Sequence, residues 1–325
     1  MANKQQSEAS VIAKIERGNS RKRQAGVILS TGDDAALFQP RAGYDTVLTC
    51  DWFLEGTHFL REKHPAEAVG WKCLARAASD IAAMGGEPRC FLLSLALPTE
   101  MTGRWLNKFL DGLRKASRAL QCELAGGDTT RRKETLISVT VVGEVRHGDG
   151  LRRSGANPGD ALFVSGVLGE AELGLRQLRR GSGLARATNA ALRKHLYPVP
   201  RIVLGQWLAR NKIASAMMDI SDGLSSDLRH LCEASGVGAI VNASSLPLTG
   251  LVKPAEARKL ALHSGDDYEL LFAVSRRNVA HVPPRFDGLR VTRIGEITRA
   301  ARVMVRTTRG LLEPLLASGW DPFRK

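Results

Sequence analysis

The sequence predicts a two-domain protein of the α/β (α+β) class. The chain has 325 residues, and single domains commonly span roughly 100–200 residues. Apolar strand patterns alternate with helical patterns in both halves, which is typical of this class. The segment 146–160 is rich in Gly, Arg and turn residues and separates the halves. We therefore expect a flexible polar tail at 1–24, a first domain at 25–147 and a second domain at 148–325.

The first half alternates strands and helices. Apolar residues at every second position of 45–53 predict a strand. Trp105, Phe109, Leu113 and Leu120 lie on one side of an amphipathic helix. In chain order we expect a strand and turn at 25–38, a strand at 45–53, a helix at 64–85, a buried strand at 90–98, a helix at 102–121, a short strand into a glycine turn at 122–130, and a strand at 135–145.

The second half repeats this alternation after the boundary. In chain order we expect strand, glycine turn and helix at 161–178, a loop at 180–190, a helix opened by two prolines at 197–210, strand, turn and helix at 216–231, and strands at 238–248, 266–275 and 289–297.

Charge and cysteine content narrow the class of protein. The net charge of +14 attracts anions. Only 5% of residues are aromatic, and no basic run is interleaved with them, which argues against a stacking surface for single-stranded nucleic acid. The five cysteines are dispersed and form no C-x-x-C pair, which argues against zinc and favours reduced thiols. With no secretory signal and no apolar run of membrane-spanning length, we expect a cytoplasmic protein without membrane contact.

Familiar catalytic motifs are missing from the chain. It contains no P-loop, no G-x-G-x-x-G, no H-E-x-x-H and no G-x-S-x-G. Six segments instead place Asp beside Gly or at strand ends. One such Asp is ordinarily a turn or helix-cap residue, but six could converge only with cations between them. Mg²⁺ prefers oxygen ligands of this kind, so the pattern predicts a polycarboxylate Mg²⁺ site that handles phosphates. The segments are 31–36, 49–59, 78–86, 126–130, 219–224 and 264–270.

The segment 216–231 illustrates the pattern. An apolar strand ends at Asp219, and Ser221 and Asp222 are expected to begin a helix. Such a turn can bind a metal and also present backbone N–H groups to a phosphate. Asp227, at helical spacing after the turn, is either a further site residue or a solvated or structural carboxylate.

The order and spacing of these motifs resemble those of the thiamine-monophosphate kinase family. This family belongs to the superfamily of aminoimidazole ribonucleotide synthetase and selenophosphate synthetase. The resemblance runs from about residue 25 to Trp320. It rests on "GDDAALF", "CDWFLEGTHF", "ASDIAAMGGEP", "AGGDTT", "RRSGANPGD", "VSGVLGEAELGL", "YPVPRIVLG", "DISDGLSSDL" and "SGDDYELLF".

The resemblance implies an activity and a fold. The activity is ATP- and Mg²⁺-dependent phosphorylation of thiamine monophosphate to thiamine diphosphate. The fold is a two-domain aminoimidazole-ribonucleotide-synthetase-like fold in which each domain is a mixed sheet with packed helices. The first domain would bind ATP and Mg²⁺ and form a homodimer.

The resemblance also implies roles for individual residues, carried over position by position. The implied metal ligands are Asp34, Thr49, Cys50, Asp51, Asp80, Asp128, Asp219 and Asp222. The implied ATP contacts are Gly127, Asp128, Arg153 and Ser221, and the implied substrate contacts are His58, Asp266 and Trp320. Asp80, Asp128 and Asp222 are the implied catalytic residues.

Three positions depart from the family pattern. Cys50 stands where Thr is usual, and a thiol is a poor Mg²⁺ ligand, although ligation through the backbone is compatible with it. Asp266 stands where the family usually has Glu and is one methylene shorter. Trp52 replaces a small residue beside the metal segment.

Structural interpretations stay open for several of these residues. His58 is either a substrate contact or an ordinary surface or core histidine, and Trp320 either a substrate contact or a plug at the end of the core. Asp33 and Asp267 are either direct or supporting residues of the site.

The chemistry implied by the resemblance needs no general base. A phosphate monoester has a second pKa near 6, so it is largely dianionic at neutral pH and already a nucleophile. In-line phosphoryl transfer then depends on positioning and charge neutralisation. Two other hypotheses remain: another ATP-dependent synthetase of the same superfamily, or a basic protein that binds nucleic acid.

Overall fold

The computed structural model describes residues 8–17, 26–31, 34–180 and 190–323. The chain divides into two compact units. The first comprises Met1–Ile81 and Glu87–His147, and the second comprises Ala82–Gly86 and Gly148–Lys325. The predicted roles of the first domain in ATP binding and dimerisation stay predictions.

The first unit is built on a four-stranded mixed sheet. Its elements are α1 (Glu8–Glu16), β1 (Val27–Leu29), β2 (Leu37–Phe38), β3 (Tyr44–Leu54), α2 (Ala66–Ala83), β4 (Glu87–Leu97), a 3₁₀ turn (Thr99–Met101), α3 (Arg104–Leu120), β5 (Glu123–Arg131) and β6 (Leu136–Arg146). The sheet order is β3-β6-β4-β5, and β1 pairs with β2 separately. Strands β4 and β5 are parallel, and the other neighbours are antiparallel.

The two faces of this sheet differ in exposure. Side chains alternate between the faces of a strand, and on β4 Phe91 and Leu93 are buried whereas Leu92 between them is exposed. On β3, Leu48 is 68% exposed and Trp52 is 56% exposed. The first unit therefore presents apolar side chains on the outer face of its sheet.

Helix α1 lies within the segment 1–24 that was predicted as a flexible tail. Within α1, Val11 is buried, Lys14 Nζ donates to the carbonyl of Thr102 at 2.9 Å, and Arg114 Nη2 donates to the carbonyl of Lys14 at 2.7 Å. The segment is mostly polar in sequence, so this packing was not apparent from its composition. Residues 1–7 and 18–25 lie outside the described residues.

The second unit is built on a larger sheet. Its elements are β7 (Ala161–Ser165), α4 (Glu170–Arg180), α5 (Ala190–Leu196), α6 (Ile202–Arg210), β8 (Ala214–Ile220), α7 (Leu224–Ser235), β9 (Gly238–Asn242), α8 (Pro254–His263), β10 (Glu269–Val274), a 3₁₀ turn (Val279–His281), β11 (Arg285–Phe286), β12 (Leu289–Thr298), β13 (Val303–Arg306) and β14 (Leu312–Pro314). The order is β14-β13-β9-β12-β7-β10-β8, with β11 beside β12. Only β13 and β9 are parallel among these described pairs.

The centre of this second sheet is buried on both faces. On β10, Leu271 belongs to the core layer that contains Leu228 of α7, whereas its neighbour Phe272 belongs to the layer that contains Leu208 of α6. Strands buried on both faces read as continuous apolar runs, which explains why β10 shows no polar alternation. The mixed sheets with packed helices confirm the predicted fold class.

Several details differ from the sequence prediction. The glycine pair 126–127 lies inside β5 instead of in a turn after it, and α5, α8, β11, β13 and β14 were not predicted. Most of the predicted loop at 180–190 lies outside the described residues. In the part of the chain that the structure describes, no helix combines the length and apolarity needed to cross a membrane.

Helices α2 and α3 approach closely at two glycines. A Cβ atom at Gly112 would overlap the backbone of Glu67, and one at Gly70 would overlap the backbone of Phe109. Both helices must therefore keep these positions free of side chains.

We predict that Gly112→Ala destabilises the protein by about 1–3 kcal/mol, because the added methyl forces the helix backbones apart. Chemical denaturation followed by circular dichroism measures this change. Gly250→Ala is the control, since nothing lies within 4 Å of a Cβ at that position. Equal stability of both variants would contradict the close approach.

Candidate active site

In the first unit, β3 and α2 bring together the side chains of Thr49 and Asp80. Thr49 Oγ1 donates a hydrogen bond to Asp80 Oδ2 at 2.5 Å. Asp51 lies two residues further along β3 and so on the same face as Thr49. Three predicted metal ligands thus belong to the helix-covered face of the sheet.

Arg76 is a charged residue at this place that the sequence analysis missed. Its Nε lies 3.7 Å from Asp51 Oδ2, and its guanidinium lies 5.2 Å from the centre of the Phe53 ring. Arg76 precedes Asp80 by four residues, so both project from one face of α2. That spacing within a predicted helix was the available signal. The guanidinium supplies a resident positive charge beside the predicted ligand Asp51.

Cys50 points to the other face of β3. Its Sγ lies 3.4 Å from Ser138 Oγ, on the opposite side of the strand from Thr49 and Asp51. The thiol therefore does not belong to the same ligand group, which leaves only the backbone of Cys50 for the predicted metal role.

Asp128 lies on the opposite edge strand from these ligands. Across the sheet, Asp128 on β5 is paired with Ser94 on β4. Ser94 is paired with Ser138 on β6, and Ser138 is paired with Trp52 on β3. Three strand spacings separate β5 from β3, about 14 Å along the sheet. Before Asp128, Gly127 has a φ of +153°, and a side chain there would overlap the β4 backbone. The sheet thus separates Asp128 from the β3 ligands within one unit.

Two further predicted residues of the first unit lie in turns. Asp34 is exposed in the turn before β2, and Asp33 beside it lies outside the described residues. His58 follows β3. Its Nδ1 accepts the backbone N–H of Leu54 at 3.0 Å, and its ring stacks on Phe53 with centroids 5.9 Å apart. These contacts fix the ring, which is half-buried, and assign the acceptor role to Nδ1.

In the second unit, the predicted metal turn follows β8. Asp219 is buried within the strand. Helix α7 begins at Leu224 after Gly223, whose φ is +115°. Ser221 and Asp222 therefore lie in the turn and do not begin the helix as predicted, because the positive φ of Gly223 is incompatible with an α-helix that continues through this residue.

Asp227 supports this turn from inside. Its Oδ2 accepts the backbone N–H groups of Gly223 at 2.9 Å and Asp222 at 3.2 Å, and the side chain is buried. Burial, together with the negative charges of Asp222 and Asp219, raises the pKa of Asp227 well above its usual value. Of the alternatives left open for Asp227, these contacts support a structural carboxylate that stabilises the turn.

Backbone hydrogen bonds join the turn to two other predicted substrate segments. The N–H of Asp266 donates to the carbonyl of Ser221 at 2.7 Å, and the N–H of Trp320 donates to the carbonyl of Asp222 at 2.9 Å. Trp320 is 51% exposed, so it does not plug the core. Predicted metal, nucleotide and substrate residues therefore meet at one place in the second unit.

A buried ion cluster lies beside this place. Glu269 has no exposed surface, and its carboxylate accepts from Lys194 Nζ at 2.7 Å, from Arg201 at 2.6 and 2.7 Å and from Ser165 Oγ at 2.5 Å. Burial alone would raise the pKa of Glu269, but Lys194 and Arg201 lower it to about 2. The cluster ties the start of β10 to α5 and to the segment before α6.

Asp267 caps helix α4. Its carboxylate accepts the N–H groups of Gly169 at 2.6 Å and Ala171 at 3.4 Å. Burial raises its pKa to about 7, even though Lys194 pulls in the other direction. Asp267 thus acts as a supporting residue next to Asp266.

Arg153 is placed away from this turn. Its side chain is exposed, and its carbonyl accepts from Ser235 Oγ at 2.9 Å. Ser235 is the last residue of α7, a helix about 18 Å long that starts beside Asp222. The backbone of Arg153 therefore lies at the far end of α7.

The donor chemistry of these residues fits Mg²⁺. Carboxylate and hydroxyl oxygens are the ligands that this ion prefers. Within the described residues, however, no three His, Cys, Asp or Glu side chains are grouped closely enough to bind a metal. Each unit contributes part of the predicted ligand set.

Comparison with known proteins decides the family. Models of the AIR synthase related N-terminal and C-terminal domains match residues 32–145 and 157–307. A curated thiamine-monophosphate kinase from Buchnera aphidicola is 36% identical over 278 residues, 84% of this chain and 84% of that protein. The chain belongs to the thiamine-monophosphate kinase family. The predicted resemblance is confirmed.

Solved structures of this family share the fold. Thiamine-monophosphate kinase from Stenotrophomonas maltophilia has a TM-score of 0.78 and 38% identity, covering 91% of this chain and 94% of that one. The structure described as AaThiL complexed with AMPPCP and TMP has a TM-score of 0.78 and 33% identity and covers 99% of each chain. Family membership makes this chain a kinase and favours the first of the three hypotheses. The roles of the individual site residues stay predictions.

We predict that Asp267→Asn changes how stability depends on pH. Between about pH 4 and 7 the folded protein keeps a proton on Asp267 that the unfolded chain loses, since its pKa rises from 3.8 to about 7. Stability from this group therefore falls as pH rises, by up to about 1.4 kcal/mol per pH unit. The variant lacks this slope.

Urea denaturation of both proteins between about pH 4.5 and 7 tests this prediction. The free energy of unfolding should decline less steeply with pH in Asp267→Asn than in the unmodified chain. Parallel pH dependence of the two proteins would show that Asp267 titrates normally.

Proposed function

We propose that the chain transfers the γ-phosphoryl group of ATP to thiamine monophosphate, with Mg²⁺, and forms thiamine diphosphate. The observation that carries this proposal is the joined turn of the second unit, where Asp222, Ser221, Asp266 and Trp320 meet through backbone hydrogen bonds. A family member that shares this fold is described in complex with AMPPCP and TMP. AMPPCP is an ATP analogue with a methylene bridge, so that protein binds an analogue of the proposed phosphoryl donor together with TMP.

The acceptor needs no proton removed before it reacts. The monophosphate is largely dianionic at neutral pH, and one of its oxygens attacks the γ-phosphorus in line while ADP leaves. The contribution of the protein is then to align two polyanions and to stabilise the charge as it moves.

The carboxylates serve this task together with Mg²⁺. When bound, Mg²⁺ neutralises phosphate oxygens and orients them for transfer. Asp34, Thr49, Asp51, Asp80 and Asp128 of the first unit would bind it, together with the backbone of Cys50. Asp219 and Asp222 of the second unit would bind it as well.

Nucleotide and substrate have separate predicted contacts. Ser221, Gly127, Asp128 and Arg153 would contact ATP. His58, Asp266 and Trp320 would contact thiamine monophosphate. The fixed ring of His58 and the exposed ring of Trp320 suit them for binding the organic part of the substrate.

We further propose that two copies associate through the outer sheet face of the first unit. Its exposed apolar residues Leu48, Trp52 and Leu92 would be covered in such a dimer. Within one copy, Asp128 and the predicted ligands on β3 lie on opposite edge strands of the sheet. A second copy could therefore supply ligands that one copy holds too far apart.

A cytoplasmic location fits the cysteine chemistry. All five cysteines are free, and burial raises the pKa of the Cys73 and Cys232 thiols to about 12. Such thiols are inert in a reducing compartment.

We predict that Asp80→Asn and Asp222→Asn each lower kcat for thiamine diphosphate formation by about 10²-fold or more, because each removes a negative ligand that would hold the Mg²⁺ needed to offset the charge of the phosphates. Turnover with thiamine monophosphate, ATP and excess Mg²⁺ measures this effect. Asp287→Asn, the same replacement at an exposed residue in the turn between β11 and β12, is the matched control. Unchanged kcat in either aspartate variant would remove that residue from the proposed machinery.

We predict that Leu48→Arg shifts the protein from dimer to monomer, because it puts a charge into the apolar face that is 68% exposed at this residue. Light scattering coupled to size exclusion gives the mass of both proteins. Leu311→Arg is the control, at a residue of the second unit that is 60% exposed. A monomeric unmodified chain, or a dimeric Leu48→Arg, would contradict the proposed interface.

A further inference from the structure

The side chain of Asp266 is oriented by two buried residues. Tyr268 Oη donates to Asp266 Oδ1 at 2.7 Å, and His195 Nδ1 lies 3.4 Å from Asp266 Oδ2. Tyr268 is 3% exposed and His195 is 1% exposed, whereas the Asp266 side chain is 30% exposed. The partly exposed carboxylate of Asp266 therefore contacts two buried groups, the Tyr268 hydroxyl and the His195 imidazole.

The backbone around Asp266 takes a conformation that needs such support. Asp266 has a φ of +71° and Tyr268 a φ of +51°, in the left-handed region that non-glycine residues rarely adopt. Conformations of this kind persist when the surroundings impose them, and they concentrate at functional sites. Here the N–H groups of both residues are bonded to the carbonyls of Ser221 and Ile220.

His195 is itself fixed by its helix. Helix α5 packs so closely on α4 that a Cβ at Gly174 would overlap Ala191 and His195. The neighbouring Lys194 is bonded to the buried Glu269 at the start of β10. The imidazole therefore has little freedom to move away from the carboxylate.

We propose that His195 and Tyr268 are positioning residues for substrate recognition by Asp266. They direct the exposed edge of its carboxylate to the amino-bearing, cationic organic part of thiamine monophosphate. The inference rests on the proposed function and on the substrate role of Asp266. It also gives a physical reason why an aspartate suffices where the family usually has glutamate, since a shorter side chain tolerates less error in its direction.

The test is a set of steady-state assays with thiamine monophosphate and ATP varied separately. Tyr268→Phe removes only the hydroxyl that orients Asp266. We expect the KM for thiamine monophosphate to rise about tenfold, as for the loss of one charge-assisted hydrogen bond. The KM for ATP and kcat should stay within about twofold, since uniform binding of the substrate is what is lost.

Three further variants distinguish loss of Asp266 orientation from a general loss of structure or activity. Tyr44→Phe removes a hydroxyl in the first unit and should leave all constants unchanged. His195→Leu should raise the same KM as Tyr268→Phe does, whereas His195→Asn, which keeps a donor near the Nδ1 position, should restore most of it. Melting temperatures establish that each variant is folded.

The double variant Asp266→Asn/Tyr268→Phe isolates the coupling between the two residues. If Tyr268 acts through Asp266, adding Tyr268→Phe to Asp266→Asn should raise the KM for thiamine monophosphate by less than about threefold. Equal effects of Tyr268→Phe in both backgrounds would overturn the inference, as would an unchanged KM in a folded Tyr268→Phe.

The assays also distinguish the two levels of the proposal. An active unmodified chain whose KM is insensitive to Tyr268→Phe overturns only the positioning role. An unmodified chain that binds AMPPCP but forms no thiamine diphosphate overturns the proposed function and the inference with it.

Discussion

Repulsion between neighbouring carboxylates is the constraint on which this structure depends. Carboxylates are rarely buried together unless positive charge or hydrogen-bond donors accompany them. The chain supplies both within each unit. Arg76 lies beside Asp51, Lys194 and Arg201 enclose Glu269, and two backbone N–H groups meet Asp227. We propose that Mg²⁺ supplies additional positive charge at Asp80, Asp128, Asp219 and Asp222.

The two units support this chemistry in different ways. The sheet of the second unit is buried on both faces, so the turn after β8 projects from a rigid core. Hydrogen bonds from Asp266 and Trp320 then fix the same turn from outside. The sheet of the first unit is covered by helices on one face, and its other face is covered in part, where β1 and β2 pack over Cys90 and Val142. It presents Thr49 and Asp51 on the covered face and leaves apolar residues such as Leu48 exposed on the other, a division that suits ligand binding on one face and association on the other.

Most of the local structure could be predicted from the sequence, because it follows from short-range patterns. Strand β3 and helix α3 follow from apolar periodicity, and the Asp and Gly segments indicated the candidate site. The opposite orientation of Cys50 and Asp51 also follows from strand alternation. What could not be predicted depends on long-range pairing. The position of Asp128 on the far edge follows from the strand order, and the pairing of Glu269 with Lys194 joins residues 75 positions apart. The burial of Val11 in α1 depends on a groove formed by other segments.

The most direct test of the central claim is the affinity of the unmodified chain for AMPPCP, measured by calorimetry with Mg²⁺ and again with EDTA. If the site carboxylates require Mg²⁺ to accept a polyanion, binding should be at least about tenfold tighter with Mg²⁺, a difference of about 1.4 kcal/mol. Equal affinity under both conditions would contradict the account. It would mean that the resident cations of the chain, such as Arg76, neutralise the site on their own.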